Sequence, residues 1–185
     1  MPSVASKMTR RSLLAVATGL IWITVVPVAL AEKAASGSFP VSEMMAPNAL
    51  PDIAEGKPPI TLSALRGKTV YVDFWASWCA PCLRSMPLIN ELYAKYREQG
   101  FEVIAINVDD PVEDGREFLL DTPLDYLIAA DPKGEMLGAY AVRGMPTSFL
   151  IDRDGVVRLV HMGFRDNDIV LIEDAVRSLL DASTP

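Results

Sequence analysis

Cys79 and Cys82 are the only cysteines of this 185-residue chain, and two residues separate them. A thiolate attacks a disulfide, and a second thiol close by displaces the partner so captured. Two cysteines at this spacing, between a strand-like and a helix-like run, therefore read as a thiol–disulfide redox pair. Two other uses of the pair fit less well. Zinc takes four ligands, usually a further Cys or His pair, and His161 is the sole histidine. A purely structural bridge would close a loop too short to restrict the unfolded chain much.

The flanking residues have to position the thiols. Residues 69–75 (Thr-Val-Tyr-Val-Asp-Phe-Trp) are β-branched and aromatic, which predicts a strand covered on both faces. Residues 83–98 predict a helix, with Met86, Ile89, Leu92 and Tyr96 on one face, a kink at Pro87 and a stop at Gly100. Cys79 then lies at the first turn, where backbone amides and the positive end of the dipole lower a thiol pKa, to ~3.5–7.5 in such motifs. Cys79 is expected to be exposed and to attack. Cys82, one turn on, is expected to be buried and to resolve. Pro81 suits the first turn because it has no N–H to satisfy there. Asp73 breaks the apolar strand, and two readings stand: a buried carboxylate of raised pKa that takes and returns the Cys82 proton, or a strand-end group that meets water.

Residues 101–108 predict the next strand, parallel to the first through a βαβ connection. A helix over 112–120, a strand over 125–129 and a helix over 134–140 follow. Residues 147–151 and 156–160 flank Asp152-Arg153-Asp154-Gly155 as a hairpin. A final helix starts near Asp166 or Asp168 and runs to about 180, and residues 60–62 suggest a short strand followed by a turn over 63–68. The pattern is α/β: one domain over 50–182, a central mixed sheet with helices on both faces. Met145-Pro146, just before a strand, is a bend whose peptide bond is cis or trans; about 5–6% of such bonds in folded proteins are cis.

Lys7, Arg10 and Arg11, an apolar run from residue 13, Pro27 and Ala29-Leu30-Ala31 form an export signal cleaved after Ala31, or else an uncleaved anchor over 13–31. Thr9-Arg10-Arg11-Ser12-Leu13-Leu14 also resembles a twin-arginine signal. Either way residues 1–31 send the domain across the membrane, with 32–49 as a linker. The chain carries 17 basic and 24 acidic residues, a charge of −7; without residues 1–31, which hold three of the basic residues and no acid, 14 stand against 24, or −10. That balance disfavours nucleic acid and anionic lipid as partners. No cofactor or metal is called for; Met44 and Met45 fall in the linker, and His161 reads as a strand-end histidine.

The run Val72-Asp73-Phe74-Trp75-Ala76-Ser77-Trp78-Cys79-Ala80-Pro81-Cys82, then Pro87, then Val142-Arg143-Gly144-Met145-Pro146-Thr147, resembles the thioredoxin family over about residues 50–182. The resemblance implies a thioredoxin-like fold, a cis Pro146 beside the disulfide and a buried Asp73 acting as proton acceptor. It implies that Met145 offers its backbone to substrate and that Trp78, Ala80, Pro81 and Pro146 line the same binding surface. The export segment, the extra chain over 110–140 and Phe149-Leu150-Ile151-Asp152-Arg153-Asp154-Gly155 resemble the TlpA/ResA branch. Members of that branch are mostly reductants outside the bacterial cytoplasmic membrane, in the periplasm or on the membrane's outer face. They draw electrons from a membrane thiol donor and reduce apocytochrome c, copper-site cysteines or other exported disulfides. Thr147 departs from the Glu that follows the proline in cytochrome-maturation members.

Three functions compete: a disulfide reductase, a dithiol oxidant or isomerase with the same residues, and a copper chaperone using both cysteines and His161. Ala80-Pro81 lacks the histidine that stabilises the thiolate of strong oxidants, which favours the reductase.

Overall fold

The computed structural model describes residues 52–54 and 56–182. The segment 1–31, the linker 32–49 with Met44 and Met45, and the first residues of the domain lie outside them. Five strands form one sheet: β1 (Thr69–Trp75), β2 (Phe101–Asn107), β3 (Leu127–Ala130), β4 (Thr147–Ile151) and β5 (Val157–Met162). Their spatial order is β3-β2-β1-β4-β5. β1 pairs parallel with β2, and β2 with β3; β4 runs antiparallel to both β1 and β5. The sheet is mixed, as the sequence predicts. The parallel half follows from the helical crossover between β1 and β2, and the antiparallel half from the tight turn at Asp152–Gly155.

β1 and β2 are buried along their whole length, because helices cover both faces. On one face Tyr71, Trp75, Val103 and Ala105 pack with Met86, Ile89 and Leu92 of α1 (Ala80–Tyr96) and with Ile172, Val176 and Leu180 of α4 (Asp168–Asp181). Phe118 of α2 (Glu113–Asp121) joins this cluster, 5.6 Å from the Trp75 ring. On the other face Val70, Val72 and Phe74 pack with Met136 of α3 (Glu135–Ala139) and with Tyr140. The stretch 110–140 thus supplies two helices and an edge strand.

The helix after the cysteines begins three residues earlier than its apolar spacing predicts, at Ala80, with Pro81 in its first turn and Pro87 inside it. Residues 60–62 differ from expectation. No strand forms at 60–62; Leu62–Leu65 is a turn of 3-10 helix. Successive hydrogen bonds from Ala64 N to Thr61 O (3.1 Å) and Lys68 N to Leu65 O (3.1 Å) wind this segment, and they bury Leu62 under the sheet.

Gly115 lets α2 approach the end of β2. A Cβ there would lie 2.5 Å from Nδ2 of Asn107, a buried side chain already engaged in hydrogen bonds. In an open helix Gly115→Ala would stabilise by ~1 kcal/mol. Here overpacking, which costs ~1–3 kcal/mol, is expected to win. Urea denaturation should show a lower midpoint for Gly115→Ala; a higher one would mean that Asn107 gives way freely.

Candidate active site

The redox pair sits where β1 ends. Residues 76–78 leave the sheet, Cys79 caps α1, and Cys82 lies in its first turn. The turn is closed by Cys79 N–H on Ala76 O (3.0 Å) and Leu83 N–H on Cys79 O (3.1 Å). Cys79 and Cys82 are joined as a disulfide, with Cα atoms 5.3 Å apart. Pro81 contributes no N–H, so the amides nearest the pair at the start of α1 come from Ala80 and Cys82, and with the helix dipole they favour a thiolate there once the disulfide opens.

Cys79 is less open than the sequence suggests. It is 5% exposed, against 0% for Cys82, because the disulfide draws its sulfur into the apolar cluster beneath α1. The order of accessibility is as expected, but the exposed surface belongs to the neighbours. Trp78 is 69% exposed, Ala80 is exposed and Pro81 half-buried.

The loop before β4 emerges at the same end of the sheet. Thr147 pairs with Phe74, whose carbonyl oxygen is 4.0 Å from the Cys82 sulfur. Pro146, next to Thr147, is therefore brought by strand register to the end of the sheet that carries the disulfide. The Met145–Pro146 bond is cis, as the resemblance implies. Pro146 is buried and Met145 half-buried. The bend is held by Thr147 Oγ1 donating to Gly144 O (2.6 Å) and Gly163 N–H donating to Pro146 O (2.8 Å). Asp110–Pro111 is also cis, which the sequence reading did not anticipate.

A clamp missing from the sequence reading holds the cysteine loop. The buried Asp109 carboxylate accepts Ser77 N–H (2.9 Å) and Ser77 Oγ–H (3.0 Å), and Asn107 Nδ2–H braces it at 2.6 Å. Asn107-Val108-Asp109 leaves β2 beside the exit of β1, so an acidic residue just past the neighbouring parallel strand was the available signal.

Asp73 is 4% exposed, at the middle of the sheet and on the face that carries Trp75 and the disulfide. The strand-end reading is thus overturned, because β1 continues for two residues beyond it under α1 and α4. Burial pushes its pKa up from 3.8 to about 7, and a hydrogen bond from the Ser148 hydroxyl pulls the other way. Ser148 is its cross-strand neighbour and also accepts a hydrogen bond from the Tyr71 hydroxyl at 2.7 Å. His161 does sit near a strand end, but its Nε2 lies 3.2 Å from Asp168 Oδ2. Among the described residues no cluster of three or more His, Cys, Asp or Glu could hold a metal ion.

A dithiol pair at a helix start, a cis-proline loop at the same end of the sheet and a buried carboxylate of raised pKa together fit the requirements of thiol–disulfide exchange. The Redoxin family model matches residues 34–176. The chain belongs to the Redoxin family. This redoxin is 44% identical over 112 residues to Thiol-disulfide oxidoreductase ResA of Bacillus cereus, with 60% of this chain and 64% of the relative aligned. The protein of the same description from Geobacillus kaustophilus is 43% identical over 102 residues, covering 55% of this chain and 59% of that one. The chain therefore spans just under two thirds of the length of the curated relatives it matches. Among solved structures it is similar to one from Chlorobium tepidum assigned as the thiol:disulfide interchange protein DsbE: 42% identity, TM-score 0.68, covering 78% of this chain and 94% of that one. It shares its fold with StoA from Bacillus subtilis at 21% identity and TM-score 0.58, covering 70% of this chain and 96% of that one. The fold is thioredoxin-like.

The raised pKa of Asp73 sets a pH dependence of stability. Its folded-state pKa, about 7, lies above its ordinary 3.8. Its penalty is absent below 3.8, grows between 3.8 and 7, and is complete above 7. At about 1.4 kcal/mol per tenfold change in proton affinity, the gap corresponds to ~4 kcal/mol at most. Asp73→Asn should therefore unfold at higher urea than the wild type at pH 8, with the advantage shrinking towards pH 4. An advantage that stays constant across this range would show that Asp73 has the same proton affinity folded and unfolded.

Proposed function

We propose that this redoxin is an exported thiol–disulfide oxidoreductase that reduces disulfides in proteins outside the cytoplasm. The observation that carries the reading is the Cys79–Cys82 disulfide at the start of α1, with cis Pro146 facing it and Asp73 buried beneath. The Cys79 thiolate attacks a substrate disulfide, forms a mixed disulfide and releases one substrate thiolate. Asp73 takes the proton of Cys82, and the Cys82 thiolate attacks the Cys79 sulfur. The second substrate thiolate leaves, and two electrons have passed from the dithiol to the substrate. Trp78, Ala80 and Pro81, with the backbone of Met145 and the ring of Pro146, form the surface on which the substrate chain lies.

Several features support the direction and the setting. Ala80-Pro81 offers no histidine to stabilise a strongly oxidising site. Residues 1–31 have the composition of a signal cleaved after Ala31 or of an anchor over 13–31. A reductase in an oxidising compartment needs a source of electrons, and a thiol carrier in the membrane is the donor that the TlpA/ResA resemblance suggests. Substrates are exported disulfide proteins; apocytochrome c and copper-site cysteines are the two classes to try first.

Equilibration of the domain with dithiothreitol or glutathione should give a reduction potential well below about −200 mV; a value near −120 mV would make the protein an oxidant. Cys82→Ser should accumulate mixed disulfides at Cys79 that are visible on non-reducing gels. Trapping by Cys79→Ser in their place would reverse the roles of the two cysteines.

A further inference from the structure

Once Asp73 holds the Cys82 proton, the proton has to leave a site closed to water. The sheet register places a polar row across this face. Asp73 of β1 is paired with Ser148 of β4, and Ser148 is paired with His161 of β5. Residues directly opposite on antiparallel strands point to the same face with Cβ atoms ~4.5–5.5 Å apart. Asp73 and Ser148 are buried, whereas the His161 side chain is 16% exposed. The row thus runs from the centre of the sheet to its edge.

Ser148 and His161 are joined by register rather than by a hydrogen bond, and the directions open to each group follow from what it can donate. An ionised carboxylate only accepts, so Ser148 gives its hydrogen to Asp73 and takes one from Tyr71. At the far end Asp168 Oδ2 accepts the Arg165 N–H (2.8 Å) and faces His161 Nε2 at 3.2 Å. A carboxylate there calls for Nε2–H as donor, which leaves Nδ1 to accept. The remaining neighbours of Asp73 provide no way out. Ala105, its partner on β2, is apolar. Tyr71 on its own strand and Tyr126 before β3 are buried phenols whose pKa values burial raises well above 10, so they stay neutral. Cys82 of α1 is the source of the proton.

We infer that Ser148 and His161 form the proton outlet of the redox site, carrying the proton between buried Asp73 and solvent at the edge strand. Protonated Asp73 donates to Ser148 Oγ as the Ser148 hydroxyl turns to give its hydrogen to His161 Nδ1, and His161 hands a proton on to water at the edge strand. No electron moves, and the route runs in reverse when the disulfide is reduced. Ser148 and His161 are positioning residues, because neither touches the reacting sulfurs. This inference rests on the proposed role of Asp73, and the test separates the two.

Reduced protein mixed with oxidised glutathione should show two phases: formation of the Cys79–glutathione mixed disulfide, then its displacement by Cys82. The second phase is followed from pH 5 to 9. Asp73→Asn is expected to slow it about 100-fold, within the usual range for loss of a general base. Ser148→Ala and His161→Gln are each expected to slow it by roughly tenfold and to change its pH profile, as a smaller share of the same proton transfer. Ser148→Thr, which keeps a hydroxyl, should recover most of what Ser148→Ala loses, and added imidazole should speed His161→Gln but not Ser148→Ala. Wild-type rate and pH profile in Ser148→Ala and His161→Gln, with Asp73→Asn slowed, would overturn the outlet and leave Asp73 as the base. A slowed His161→Gln that imidazole does not rescue, in protein of native circular dichroism, would also overturn it. A wild-type second phase in Asp73→Asn would overturn the proposed role of Asp73 and the outlet with it.

Discussion

Ionising a carboxylate inside a protein costs several kcal/mol unless a charge or hydrogen bonds compensate. Asp73 is placed where compensation is small: the middle strand of the sheet, under two helices, with a serine hydroxyl as its hydrogen-bond donor. The rest of the site is shaped by that choice. A surface carboxylate would stay ionised through the physiological range and take up no proton from a thiol. A pKa of about 7 lets the same group accept a proton and return it near neutral pH. The protein gives up some folding stability to keep that property, as active sites commonly do.

Around this carboxylate the chain converges from separate elements. β1 brings Asp73 and, at its end, the loop that carries Trp78 and Cys79. β2 ends beside it and supplies Asp109, which grips Ser77 through both backbone and side chain. β4 starts beside it and brings Pro146. The cysteine loop is tied to Asp109 past the end of β2 and the cis-proline loop to Gly163 past the end of β5, so the two surfaces that would meet a substrate chain are held through the sheet rather than by each other. Gly115 belongs to the same arrangement, because α2 can close over Asn107 only where that helix has no side chain.

The disulfide itself is nearly covered, while Trp78 beside it is open. Under the proposed function a partner would meet an apolar, aromatic surface before it meets sulfur. Apolar contact of that kind tolerates many sequences, and under the proposed function the backbone of Met145 would add contact that does not depend on the partner's side chains. Such a surface suits an enzyme whose reacting group in the substrate, a disulfide, is the same in every partner.

Much of this was legible in the linear chain because the chemistry is local there. The Cys-x-x-Cys spacing, the apolar strand before it, the periodic helix after it and the Asp-Gly hairpin are each set by neighbours in sequence, and strand, helix and pairing direction follow from their periodicity and from connection length. Asp73 was visible as a flaw in an apolar pattern, but its burial was not, since only α1 and α4 closing over the strand exclude water from it. Ser77 and Asp109 are 32 residues apart, and Tyr71 and Ser148 are 77 apart. Such pairs are chosen by strand register, in which a slip of one residue turns each side chain to the opposite face. The row from Asp73 through Ser148 to His161 is likewise a product of that register. The sequence alone determined that two cysteines stand at redox spacing between a strand and a helix; tertiary structure decided that Asp73 is buried and holds its proton to about pH 7, because a carboxylate's affinity for a proton depends on the water and dipoles around it.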